Sequence, residues 1–231
     1  MSVLRKITEV LRLFTLLLFR SIFIYGDIEG RHVPFLINLA LLITQVLVAR
    51  GGYECLVVVL ASVLFIYAVR GSGKVITYSS VLALIPSTWY FIVSLPFTTS
   101  LVTSAVISLR VFTVSLSFLC FFYFLNPVEI SFLLRLLHLK NAPLYPVLTW
   151  RVIPHIMRDM ETALLVGEMK RVETWKSLAI TVLTTEEYVS LYEEGLFSKP
   201  EYRPSYEYSI KHTLITVLVL VALIMLLALH A

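Results

Sequence analysis

Apolar residues run almost unbroken through positions 33–49, 53–69, 75–97, 101–125 and 213–231. About 20 such residues carry a helix across a bilayer core, so the pattern predicts five membrane spans. Between 127 and 212 the apolar residues thin out and recur at helical spacing instead. There Asn126 can cap a helix, Pro127 can take the first position where its missing N–H costs nothing, and Glu129 can reach back to the cap. This helix is expected to run to about Lys140. Pro143, Pro146 and Pro154 each lack an N–H and restrict the residue before them, so a bent or broken stretch is expected, with the next helix starting after it.

On that next helix Ile153, Ile156, Met157, Met160, Ala163, Leu164 and Gly167 form one apolar stripe at 3.6-residue spacing. Leu165 and Met169 point the other way. They sit among Arg158, Asp159, Glu161, Glu168, Lys170, Arg171 and Glu173, a mixed apolar and charged surface. A second, shorter helix is marked by Thr184 and Glu187 as a capping box and by Gly195 as its stop. Tyr188, Leu191 and Tyr192 make its apolar face. Glu193 and Glu194 lie at its C-terminal end, where they oppose the helix dipole and suit a cationic partner.

Composition strengthens this picture. Across 231 residues, 58% are hydrophobic and 15% charged, with a mean hydropathy of +0.88. The expected fold class is all-α, a polytopic helical membrane protein with cytoplasmic amphipathic helices. Charge divides the chain: residues 32–126 hold five charged side chains, whereas 127–212 hold ten basic and eleven acidic ones. Four segments follow: an amphipathic N-terminal segment (1–30), a four-span body (31–126), a water-facing region (127–212) and a final span (213–231). The positive-inside tendency places 127–212 in the cytoplasm, the body in the cell membrane and residue 231 outside. Read as a further span, residues 1–25 would carry Arg5, Lys6 and Arg12 outward and bury Arg20; a helix lying on the cytoplasmic face avoids both. Arg20 also interrupts the apolar stretch that a signal peptide requires.

Candidate chemistry within the chain is sparse. No GxxxxGK[ST] phosphate loop, HExxH or GxSxG sequence occurs, so no catalytic residue and no cofactor is expected. The five histidines are scattered and Cys55 and Cys120 sit apart in apolar runs, so neither a metal site nor a disulfide is expected. A net charge of +4, drawn from mixed-sign segments, gives nucleic acid no footprint. Arg110 stands out as a charge within a span and without a nearby acidic residue. Backbone carbonyls or a polar cavity must solvate it, as a structural tie or as a contact for another membrane subunit.

The order of these pieces resembles the transmembrane T component of energy-coupling-factor transporters, the EcfT/CbiQ family, over about residues 31–231. The resemblance rests on "GRHVPF" at 30–35, "LRVF" at 109–112, "NPVEISFLLRLL" at 126–137, where the family often reads Ser-Pro-Glu-Glu-Leu, and "RVIP" at 151–154, where it reads Arg-Phe-Ile-Pro. It implies a scaffold without enzymatic activity of its own, bound to a pair of ABC-type ATPase subunits and to a substrate-binding membrane S component for a vitamin or transition-metal ion. Family members carry Ala-Arg-Gly-like motifs at the tips of two coupling helices. Here the first falls on Met169, Lys170 and Arg171, which keep the cation but not the alanine or glycine. The second falls near Glu194 and Gly195, where the arginine is missing. The implied ATPase contacts are therefore Glu168, Met169, Lys170 and Arg171 with Tyr192, Glu193, Glu194 and Gly195. The alternative is a membrane-embedded enzyme with an unrecognised active site on its cytoplasmic face. A channel or permease acting alone is less well supported, because the spans offer few polar residues to line a path.

Overall fold

The computed structural model describes residues 32–71, 73–98, 100–138, 144–170 and 208–230, with Val10, Leu13, Phe14, Leu17, Leu18, Ser21, Ile22 and Ser190 as separate helical positions. Every regular element among the described residues is a helix. The chain divides into two compact units, residues 20–126 with 207–231, and residues 1–19 with 127–206.

The first unit contains α1 (Phe35–Val48), α2 (Tyr53–Arg70), α3 (Gly73–Ser94), α4 (Leu101–Tyr123) and α7 (Ile210–His230). Four of these, α2, α3, α4 and α7, are long and apolar enough to cross a membrane. The fifth apolar run expected to span, 33–49, forms the shorter helix α1. α1 is apolar but only 14 residues long, about 21 Å at 1.5 Å per residue, short of the ~30 Å hydrocarbon core. Outward-facing side chains such as Trp89, Phe97, Leu101 and Met225 are large, apolar and exposed, as suits helices whose solvent is lipid tails.

α2 forms the centre of this unit. Leu56, Val59, Val63, Ile66 and Tyr67 recur along one side of it, all fully buried, and join Leu116, Cys120 and Tyr123 of α4 and Leu223 of α7 in a single apolar cluster. In lipid, apolar burial drives helix association weakly, so close packing and interhelical hydrogen bonds must hold the helices together. Between α3 and α4 the ties are two serines. The Ser87 hydroxyl lies 2.8 Å from that of Ser108 and 2.9 Å from its carbonyl, and the Ser108 hydroxyl donates to the Ser87 carbonyl at 3.0 Å. Pro86 precedes this contact inside α3. It lacks the N–H that would bond four residues back, and Thr88 donates its hydroxyl to the Leu84 carbonyl alongside, at 2.8 Å.

The second unit contains α5 (Pro127–Leu136) and α6 (Leu144–Lys170). α5 starts at Pro127 as expected but stops four residues before Lys140. Its last bonds run from Leu137 N–H to Leu133 O and from His138 N–H to Arg135 O, and His138 turns into the left-handed region at φ 57°.

α6 overturns the expected break. It is continuous over 27 residues, through Pro146 and Pro154. Pro146 falls in the first turn, where N–H groups have no intrahelical acceptor, so its ring costs no bond. Pro154 removes one bond, and the helix carries on past it for four further turns. Ile153, Ile156, Met157 and Met160 are half-buried while His155, Arg158 and Thr162 are exposed, so the apolar stripe holds wherever its side chains are described.

Candidate functional site

Arg70, the last residue of α2, is 2% exposed. Burying a guanidinium in a membrane bundle is costly unless its charge and donors are met. Its Nη1 donates to Asn38 Oδ1 of α1 at 2.8 Å and to Thr216 Oγ1 of α7 at 3.3 Å. Its guanidinium carbon lies over the Phe124 ring, 4.2 Å from the centroid, a cation–π contact worth about 2 kcal/mol when desolvated. Each partner is itself positioned. Asn38 donates its amide to the Val33 carbonyl, and Thr216 donates its hydroxyl to the His212 carbonyl at 2.7 Å, which leaves an oxygen lone pair for Arg70.

Aromatic rings complete the node. Tyr123 meets Phe124 edge-on with centroids 4.8 Å apart, and Tyr67 lies 5.9 Å from Phe124. The Tyr67 hydroxyl donates to Ser79 of α3 at 3.1 Å. α1, α2, α3, α4 and α7 are thus tied at one end: α1 through Asn38, α2 through Tyr67 and Arg70, α3 through Ser79, α4 through Tyr123 with Phe124 just beyond it, and α7 through Thr216. Gly71 permits this closeness, since a Cβ there would stand 2.9 Å from the Tyr67 carbonyl and 3.4 Å from the Phe124 ring. A cavity of about 10 Å³, room for one water, lies beside Arg70 with Gln45, Ser117 and Cys120 in its lining.

At the other end of α2 the site expected from the sequence takes shape. Arg110 Nη2 donates to the Gly51 carbonyl in the α1–α2 turn at 3.0 Å, while Nε is buried and has no hydrogen-bond partner. Solvation by a backbone carbonyl is one of the two solutions expected for this residue, here supplied by a turn 59 positions away.

The coupling residues divide. Glu168, Met169 and Lys170 form the final turn of α6. Arg171, Tyr192, Glu193, Glu194 and Gly195, together with the helix expected around Thr184–Gly195, lie outside the described residues. Arg70 is the residue that sequence reasoning missed. Asn38, Gln45 and Thr216, polar positions inside apolar runs, were the available signal of a buried polar partner.

No known family, characterised protein or solved structure matches the chain. The chemistry is therefore read from the residues alone. Among the described residues no group of three or more His, Cys, Asp or Glu is placed to hold a metal ion, and Cys55 and Cys120 are buried thiols not joined in a disulfide. Ser209 and His212 do approach, Oγ to Nδ1 at 3.0 Å. They lie three residues apart where α7 begins, and the Ser209 N–H is held by the His32 carbonyl at 2.8 Å. This is the geometry of a helix start rather than of an exposed nucleophile. Both arginine sites join helices. Neither presents a reacting pair.

Proposed function

We propose that the chain is the membrane scaffold of an energy-coupling-factor type ABC transporter in the cell membrane. In this reading it passes the ATP-driven closure of two partner ATPases to a separate substrate-binding membrane subunit for a vitamin or transition-metal ion. The observation that carries the reading is α6, a single helix of 27 residues, Leu144–Lys170, about 40 Å of continuous helix. Work done by a water-soluble motor reaches the membrane only through a rod that does not bend. α6 is a helix continuous through two prolines, and its sequence carries an apolar stripe and a charged tip.

The tip supplies the test. Lys170 and Arg171 can donate to acidic groups or helix C-terminal carbonyls in an ATPase groove, a helix-in-groove mode of recognition. Replacing both with Glu is expected to release the ATPases, a loss of at least roughly a hundredfold in affinity for a buried charge contact, while the membrane-spanning helices stay folded. Co-purification of ATPases with the double variant, measured against the parent, checks this. Undiminished ATPase binding and transport would remove the tip from the interface.

A further inference from the structure

We propose that the Arg110 end of the bundle carries a binding site for the phosphate of a membrane phospholipid, formed by the Arg110 guanidinium against the α1–α2 turn with Arg50 beside it. This is independent of the coupling function.

Helix lengths set the depth of the site. Arg70 and Phe124 stand level, because the guanidinium lies on the ring. From that level α2 returns to the turn in 18 residues; α4 reaches Arg110 in 14 positions, and the arginine side chain covers the remaining rise to the Gly51 carbonyl. α4 then extends nine further positions to Leu101, roughly 13 Å, and α3, with 22 residues, matches it. The α3–α4 hairpin therefore overtops the α1–α2 turn. Val93, Phe97, Leu101 and Val102 on its upper part are exposed and apolar, so the lipid environment reaches above the turn. A bilayer of even thickness would press hydrocarbon on Arg50, Glu54 and Arg110. A headgroup drawn down into the notch removes that conflict, as local thinning does around short helices and intramembrane arginines.

The chemistry selects phosphate. Arg110 makes one hydrogen bond among the described residues, to a carbonyl, and its Nε is buried without a partner. The inner side of the guanidinium is thus anchored, while the residue as a whole remains partly exposed. A planar fork of donors without a carboxylate partner matches a phosphate. Arg50 and Glu54 are both exposed at the turn; two arginines and one glutamate leave one positive charge, which a single phosphodiester balances. Gly51 and Gly52 add no side chains beside Arg50, and a Cβ on Gly51 would stand 3.1 Å from Cys55 Sγ.

The test is native mass spectrometry of the full-length chain in detergent with added phosphatidylglycerol, diacylglycerol or inorganic phosphate. One phosphatidylglycerol retained per chain, no diacylglycerol, and no displacement by millimolar phosphate are expected. Arg110→Gln should weaken retention roughly tenfold and Arg50→Gln roughly threefold, with Arg135→Gln unchanged. Equal retention by Arg110→Gln and parent overturns the proposal, as does retention of diacylglycerol. Displacement by inorganic phosphate overturns the lipid as the source of the anion. Should Arg110→Gln fail to fold, Arg50→Gln decides: reduced retention supports the site and unchanged retention overturns it.

Discussion

Replacing Arg70 with alanine is expected to destabilise the spanning bundle by roughly 3–5 kcal/mol, the range for removing one partner from a buried charged contact. The loss is large because one side chain serves three helices. Asn38 Oδ1 loses a 2.8 Å charge-assisted bond, Thr216 loses its 3.3 Å donor and the Phe124 ring loses the cation on its face. Arg70→Lys should recover only part of this, since an ammonium cannot both stack as a plane and reach two acceptors. Asn38→Leu leaves the guanidinium buried with one acceptor fewer, and combining it with Arg70→Ala should cost less than the sum of the single changes. Unfolding in bicelles, followed by tryptophan fluorescence, measures all four variants. An Arg70→Ala protein within about 1 kcal/mol of the parent would show that the node does not hold the helices together.

The second large effect is expected at the α3–α4 contact. Ser87 is 5% exposed, and its hydroxyl lies 2.8 Å from that of Ser108, so the two helices approach as closely as small residues allow. Ser87→Leu forces extra volume into this gap and abolishes the reciprocal bonds, for a combined cost of roughly 2–4 kcal/mol. Ser87→Ala removes the bonds alone and should cost about 1 kcal/mol. Adding Ser108→Gly to Ser87→Leu restores room and should recover part of the stability. The same unfolding assay reads these variants, and a Ser87→Leu protein as stable as Ser87→Ala would mean that the gap is not tightly packed.

How much of this was legible depends on whether the signal is local. The apolar runs at 53–69, 75–97 and 101–125 became α2, α3 and α4 with ends displaced by at most three residues, because a bilayer imposes length and hydrophobicity on each span separately. α1 escaped the same reasoning: its run of about 17 apolar residues includes Val33 and Pro34 ahead of the helix, so the run is longer than the helix. Proline misled in the opposite direction. Its cost depends on its position in the helix, and Pro146 in a first turn carries none. Arg110 was readable as an intramembrane charge without a partner, although its acceptor, the Gly51 carbonyl, could not be named from sequence. Arg70 was hidden for a related reason. It terminates an apolar run, where a flanking charge is ordinary, and its acceptors lie 32 and 146 positions away. Spacing rules describe one helix at a time, and a node of five helices leaves no periodic trace.

The coupling role is tested most directly by purifying the tagged chain from native membranes in mild detergent and identifying what remains bound. Two ABC-type ATPase subunits and a small polytopic substrate-binding protein are expected with it, with ATP hydrolysis in the complex and none in the isolated chain. Recovery of the chain without ATPases, together with catalytic turnover by the chain alone, would contradict the scaffold reading and place the chemistry in this protein.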